Sequence, residues 1–455
     1  MMIGGMATTF EALARAHSGA PAPAPAPAPA PGPEPMREPA LCGFKYLKKF
    51  LPLLARLRDH ACGRDKAGNR TLHYDQYCAL ILLSFFNPAL GSLRALQKAS
   101  TLPGVRKKLG VERASLGSLS EAARVFDPEL LEPIIAELGR QLRPVAHDTR
   151  LDEVKAVLTL VDGTLLKALP RIAQAFWKRD KGGKPHHAFR LHVQFDLITN
   201  VPVDIELTGP SNSGDSAERS VLARKLEPGR AYVTDRGYVK WKLFNDIRAK
   251  GGHCFCRVKE DTLLEEVLEE RPLSDAARAA GVTRDVVVAR LGATSKGAKP
   301  SAVSDHPVRL IEIPLTPHER RGGHKGRGSG PANHGLLKVA TDDLELTAEV
   351  IALVYRHRYA IEIFFRFLKQ LLGCRHLLSD CPDGIRIQMY CAVIACMLLS
   401  LYTHRKPTKR TLEMVQLFFA GWATEADLLA HLSEPDNTGV KLRAKDELWR
   451  KLGVE

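Results

Sequence analysis

At 455 residues the chain is longer than one compact domain usually holds, and 45% hydrophobic with 26% charged residues is the composition of soluble globular material. The longest apolar run, Met389 to Tyr402, is shorter than the ~20 residues of a membrane span and carries two Cys and a Ser, so a buried core helix is expected and a membrane protein is not. The net charge of +15 is uneven: residues 1–150 carry 20 Lys and Arg against 13 Asp and Glu, 151–251 carry 17 against 12, and 252–346 carry 14 of each.

Such an excess suits a polyanionic partner, DNA or RNA first, although charge alone leaves an anionic membrane open. No basic region followed by an apolar stretch opens the chain, so no secretory signal is expected. The nine Cys are scattered without recognised metal-ligand spacing (Cys374, His376 and Cys381 lack a fourth partner), which predicts reduced, mostly buried thiols and a reducing cytoplasm.

Residues 1–40 read as a tail, because Pro21 to Pro35 alternates Pro with Ala, Gly or Glu and would be an extended spacer without a core. Residues 41–150 read as a helical domain, with helical spacing over Phe44–Leu57, His73–Phe86 and Pro128–Leu142. Ser118 and Glu121 have capping-box spacing and predict a helix start at Ser118. Basic clusters at Lys48, Lys49, Arg56 and Arg58, and at Arg106, Lys107 and Lys108, suit DNA binding; a dimerisation or scaffold role is the alternative.

The character changes over residues 151–251. Ala156–Val161 is a strand expected to end at Asp162-Gly163-Thr164. Arg190–Leu197 and Val201–Leu207 alternate around Thr199-Asn200 as a hairpin, and Ala217–Leu226 is helical. Ala231–Thr234 is a strand ending in Asp235-Arg236-Gly237-Tyr238, and Val239–Lys250 is a helix. This is a mixed α/β layer. Residues 252–345 read as a β-rich insertion with strands at His253–Val258, Val308–Pro314 and Leu336–Ala340 and a helical piece near Ser274–Arg290. Its Gly- and base-rich loop, His318 to His334, lacks the spacing of a nucleotide P-loop. Residues 346–402 supply a helix over Tyr355–Lys369 and the apolar helix Ile385–Tyr402. Residues 403–455 are helical, with Trp422 and Trp449 expected to pack.

In the run from Tyr355 to Lys369, the residues Tyr355, Arg358, Glu362 and Lys369 fall within a sector of about 60° on a helix. A carboxylate between two cations and a phenol suits a metal ion and a phosphate, although a solvated charged face has the same spacing. Phosphodiester chemistry at neutral pH needs an oxygen nucleophile and charge neutralisation at phosphorus, which two divalent ions roughly 4 Å apart provide. Mg²⁺ asks for a few convergent carboxylates and little else. Asp162 and Asp235, at strand ends, are candidates to join Glu362. Each could equally be a turn residue, and spacing does not choose them over Asp196, Asp204 or Glu206.

Asp162-Gly-Thr, Asp235-Arg-Gly-Tyr and the string Tyr355-x-x-Arg358-x-x-x-Glu362-(six residues)-Lys369 resemble the catalytic motifs of DDE transposases, specifically the insertion sequence four family with its tyrosine–arginine–glutamate–lysine pattern. Gly384–Tyr390 is also similar, and the resemblance covers roughly residues 41–402. It implies an α/β fold: an RNase H-like catalytic core in two parts, 151–251 and 346–402, interrupted by the β-rich insertion 252–345. A helical N-terminal DNA-binding domain (41–150) and a helical C-terminal region (403–455) flank it. It implies that Asp162, Asp235 and Glu362 are catalytic and bind two Mg²⁺ ions, with Mn²⁺ able to substitute, and that Arg236, Tyr355, Arg358 and Lys369 hold DNA phosphates. The implied activity is cut-and-paste transposition on double-stranded element ends and target DNA, by a homodimer in a bacterial, nucleoid-associated cytoplasmic setting. An RNase H-like nuclease without strand transfer and an inactive DNA-binding descendant are the alternatives. Relatives of this kind form a DNA hairpin and hold a flipped base on an aromatic side chain, often Trp, in the insertion. Residues 252–340 contain no Trp, and their only Phe is Phe255.

Overall fold

The computed structural model describes residues 51–60, 71–87, 89–142, 147–167, 177–179, 185–209, 211–292, 303–314, 335–373, 378–379, 381–403, 405–406 and 408–434. The Pro/Ala-rich tail, Lys48 and Lys49, the loop His318–His334, Cys374, His376 and Trp449 lie outside these residues.

After the short helical turn Leu57–His60 come five helices: α1 (Tyr74–Phe86), α2 (Leu93–Thr101), α3 (Pro103–Leu109), α4 (Leu116–Val125) and α5 (Glu132–Gln141). The start of α4 departs from the capping-box expectation. Its cap is Ser115, whose hydroxyl accepts from the Ser118 amide at 2.9 Å. The preference for Ser at a helix start is served, one turn earlier than the spacing suggested.

Ten strands follow, interleaved with short helices. They are β1 (Val157–Lys167), β2 (Trp177–Arg179), β3 (Pro185–Asp196), β4 (Val201–Thr208), β5 (Arg230–Thr234), β6 (His253–Val258), β7 (Leu264–Glu270), β8 (Arg284–Leu291), β9 (Val308–Pro314) and β10 (Leu336–Thr341). Between them lie α6 (Glu218–Arg224), α7 (Trp241–Ala249) and α8 (Asp275–Ala279). The last described elements are α9 (Ala348–His357), α10 (Tyr359–Gly373), α11 (Pro382–Thr403), α12 (Lys409–Phe419) and α13 (Glu425–Ser433).

The mixed α/β expectation holds. All ten strands form one sheet in the order β2-β3-β1-β5-β6-β10-β9-β8-β7, with β4 paired to β3. β1 is antiparallel to β3 and parallel to β5, and β5 is parallel to β6. The β3–β4 hairpin turns at Asn200, whose φ of 57° is a left-handed conformation that Asn tolerates. Strands β7 to β10 extend this sheet, and Val286, Val288, Val308, Leu310 and Ala340 share one buried cluster with Val161, Tyr232 and Phe244. The helical piece expected over Ser274–Arg290 is only the five residues of α8, because Arg284–Leu291 is a strand with Val286 and Val288 fully buried. β-Branched residues of this kind fit a pleated, covered surface better than a helix.

The apolar α11 is 22 residues long and apolar enough to cross a membrane, yet 89% of the residues in its most apolar window are buried within the fold. It is the axis around which α1, α4 and α5 pack. The Tyr390 hydroxyl donates to Glu132 at 2.6 Å, Arg386 donates to Glu129 at 3.2 Å, and the Cys381 thiol donates to the Ala123 carbonyl at 3.1 Å. Of the six described Cys, five are buried and Cys381 is partly so; all are free thiols. Trp422 does not pack as expected: it is 85% exposed, in the turn after α12, where the chain reverses at Gly421 with φ 80°.

Gly384, at the start of α11, marks a close approach. A Cβ there would lie 2.3 Å from Ser379 Oγ and 2.7 Å from the Ala123 Cβ on α4. Gly384→Ala is expected to cost on the order of 1–3 kcal/mol by overpacking, read as a lower denaturation midpoint in urea; an unchanged midpoint would mean that the α4–α11 contact relaxes freely.

Candidate functional site

The 73-residue offset that sets Val157 beside Arg230 and Leu160 beside Val233 in the parallel β1–β5 pairing also separates Asp162 from Asp235. The register thus brings the two carboxylate residues to the same level of adjacent strands. Asp235 ends β5 as expected and caps the 3₁₀ turn Arg236–Tyr238, accepting from the Gly237 amide at 2.7 Å. Asp162 does not end its strand. β1 runs on to Lys167 because β3 pairs with it throughout, placing Asp162 opposite Val193.

Residues alternate between the two faces of β1. Val161 belongs to the core cluster under α6 and α7, with Leu222, Tyr238 and Phe244. The Asp162 side chain faces the opposite way, towards α10, where Phe195 of β3 packs on Phe364 with ring centroids 5.3 Å apart.

The expected helix Tyr355–Lys369 is divided at Arg358, between α9 and α10, with Arg358 itself keeping right-handed helical dihedrals (φ −50°, ψ −31°). Arg358 sits at the junction and turns its guanidinium into the acidic site. It pairs with Glu362, and its Nη1 lies 3.9 Å from Asp162 Oδ2. Arg358 and Asp162 are largely covered, with side chains 17% and 20% exposed, while Glu362 is 38% exposed. Tyr355 is buried, its phenol pushed upward chiefly by burial, with Arg358 opposing and the Asp235 charge adding to the rise. Arg236 and Lys369 are exposed, and Lys369 stands seven residues, about 10 Å, along the helix from Glu362. The structure therefore brings Asp162, Asp235, Tyr355, Arg358 and Glu362 together and leaves Arg236 and Lys369 on the surface.

Burial pushes the Asp162 carboxyl up to about 7, and the Asp235 and Glu218 charges add to it; the Gly163 amide, donating at 2.8 Å, and Arg358 oppose the rise. The competing carboxylates have other partners. Asp196 accepts from the Ile198 and Thr199 amides in the hairpin turn, Asp204 pairs with Lys225 at 2.9 Å, and Glu206 pairs with Arg224 at 2.6 Å. Phe255 is fully buried in β6 and offers no face to a base. The exposed aromatic beside Arg358 is Tyr359, with Arg366 5.2 Å over its ring. The sequence reading missed Tyr359, although it lies within the same run. It also missed Glu218 and Arg190, which pair against the back of Gly163; nothing in their local spacing singles them out.

Among the described residues, no three His, Cys, Asp or Glu side chains converge as they stand on a point that could hold an ion. The donor chemistry nevertheless fits a hard divalent cation. Two carboxylates share one level of the sheet, one of them raised by burial and by its neighbour, and a third carboxylate is engaged by a guanidinium that already supplies positive charge.

The family model described as "Transposase DDE domain" matches residues 154–398, more than half of the chain, and the chain belongs to that family. "Putative transposase y4zB" of Sinorhizobium fredii is 25% identical over 249 residues, covering 55% of this chain and 62% of that protein. The chain thus spans a little under two thirds of that relative's length. "Probable transposase for insertion sequence element IS5377" of Geobacillus stearothermophilus is 25% identical over 299 residues, covering 64% of this chain and 68% of that protein. A solved synaptic complex of piggyBac transposase with hairpin DNA has a TM-score of 0.38 at 8% identity, covering 90% of this chain and 84% of that one; a likeness this distant carries no argument.

The raised Asp162 carboxyl makes stability depend on pH. Its folded value, about 7, lies above the unfolded value of about 4, so the folded state holds the proton more tightly. That contribution is complete below about pH 4 and is lost as pH rises to about 7. Asp162→Asn is expected to stabilise the metal-free protein at pH 8 by on the order of 1–3 kcal/mol, the gain shrinking towards pH 4. Calorimetry in chelator checks this; a pH-independent gain would rule out the charge as its cause.

Proposed function

We propose that the protein is a cut-and-paste DNA transposase of the insertion sequence four type, with Asp162, Asp235 and Glu362 as its catalytic, metal-binding residues. The observation that carries this reading is the convergence of Asp162 and Asp235 on adjacent parallel strands beside the Arg358–Glu362 pair, inside the matched transposase domain. The strand arrangement β4-β3-β1-β5-β6, three antiparallel strands followed by two parallel ones, supports an RNase H-like core at 151–251 and 346–402. Residues 252–345 then act as the insertion, 41–150 as the DNA-binding helical domain and 403–455 as the C-terminal region.

Two Mg²⁺ ions, with Mn²⁺ as a substitute, would supply charge neutralisation at the scissile phosphate and an activated oxygen nucleophile. The protein's own groups set the conditions for this. The parallel register fixes the spacing of Asp162 and Asp235. Glu362 becomes available when Arg358 releases it, and the freed guanidinium can hold a DNA phosphate through two donors. Tyr355 backs the site, while Arg236 and Lys369 extend a basic track to the sugar–phosphate backbone. Partners in this reading are double-stranded element ends, target DNA and a second copy of the chain, since two ends must be cut and joined together.

The test is purified protein with Mg²⁺ and a labelled duplex carrying the sequence that flanks its own gene. Nicking at the boundary of an inverted repeat followed by joining to a second DNA is the expected outcome. Cutting without joining points to a nuclease, and binding without cutting to an inactive descendant. Alanine at Asp162, Asp235 or Glu362 should lower cleavage about a thousandfold or more, some 4 kcal/mol of barrier, with end binding retained; persistent Mg²⁺-dependent cutting removes that residue from the set. Lys369→Ala should weaken binding to cut ends and reduce the salt slope by about one, and an unchanged slope rules out a phosphate contact there.

A further inference from the structure

Gly163 stands between two carboxylates. On one side the Asp162 carboxylate bends along the strand to accept from the Gly163 amide at 2.8 Å. On the other side the Glu218 carboxylate of α6 packs where a side chain at residue 163 would lie: a Cβ there would be 2.6 Å from Glu218 Oε1 and 2.9 Å from its Cγ. Any residue but glycine would push Glu218 away. Glu218 is held in this place by Arg190 of β3, with side chains 16% and 10% exposed, and its backbone amide donates to the Asn212 side chain at 3.0 Å. Burial raises the Asp162 and Glu218 carboxyls most, and a neighbouring charge adds to each: Glu218 to Asp162, and Asp235 to Glu218. Screening by water is weak at a largely covered site, so a charge behind the strand is felt through it.

We propose that Glu218 is a fourth acidic residue of the site, a positioning residue that acts through the Asp162–Gly163 step to set the affinity for divalent cations. This rests on the reading of Asp162, Asp235 and Glu362 as the metal-binding set. Glu218 reaches the cation through its field at Asp162 and through the fixed position of the Gly163 backbone. Arg190 holds it in register beside the strand through a largely covered ion pair.

The experiment is Mn²⁺ binding to the full-length protein without DNA, by titration monitored with electron paramagnetic resonance, alongside thermal denaturation in chelator. Glu218→Gln is expected to weaken Mn²⁺ binding about three- to tenfold, and Glu218→Asp, which keeps the charge, to restore most of it. Gly163→Ala, which displaces the carboxylate without removing it, is expected to give a loss of similar size. Asp162→Asn is the control and is expected to lose more. A lower melting temperature in Glu218→Gln with Mn²⁺ affinity unchanged, while Asp162→Asn weakens it, would mean that the pair only ties α6 to β3, and would overturn the proposal. Unchanged affinity in Asp162→Asn as well would overturn the metal reading beneath it.

Discussion

Two like charges held side by side on parallel strands are the constraint around which this molecule is arranged. Hydrogen bonding fixes the register of β1 and β5, and the register puts Asp162 level with Asp235. Asp162 cannot move away without breaking a strand, since β1 lies between β3 and β5, and Asp235 is tied at the end of β5 by its cap on the Gly237 amide. Lost hydration and, after it, repulsion by Asp235 therefore persist as a raised Asp162 carboxyl. A fold that retains such a pair needs positive charge nearby, and much of the surrounding structure can be read as its placement.

Arg358 is the clearest case. It lies at the break between α9 and α10, where the chain leaves one helix and starts the next, and its guanidinium spans Asp162 and Glu362. A buried cation in contact with two carboxylates compensates part of their desolvation. The same group, displaced by divalent ions in the proposed function, would be a short reach from a phosphate bound at the site. In the proposed function one side chain would serve the metal-free state as a counterion and the DNA-bound state as a phosphate clamp. Arg190 does the corresponding work for Glu218 on the opposite face of β1. The sheet is thereby flanked by two guanidinium–carboxylate pairs, one in front of Asp162 and one behind Gly163.

The helical part of the chain is joined to this sheet through α11. An apolar helix of 22 residues could be mistaken for a membrane span, but α1, α4 and α5 cover it, and it also packs against β4. The buried Tyr390–Glu132 hydrogen bond and the Cys381–Ala123 contact tie together segments more than 250 residues apart in sequence. Helices that precede the sheet are consequently part of the same core as helices that follow it.

The sequence by itself determined the local elements and the chemistry-bearing residue types. Alternation around Asn200 made the β3–β4 hairpin legible, the short apolar runs marked β1, β5 and β6, and the resemblance to DDE transposase motifs, where spacing did not choose, pointed to Asp162, Asp235 and Glu362 among more than fifty carboxylates. These are properties of neighbours along the chain, which period and composition report. Only the tertiary structure decided that β1 continues past Asp162, that residues 284–291 form a strand, that Trp422 is exposed, and that Arg358 meets Asp162 as well as Glu362. Glu218 lies on α6, 56 residues beyond Asp162, and Arg190 on β3, 28 residues beyond; no local pattern links them to Gly163. The reason is physical: strand pairing, burial and the meeting of opposite charges are settled between distant segments, and their energies depend on what the folded chain brings into contact.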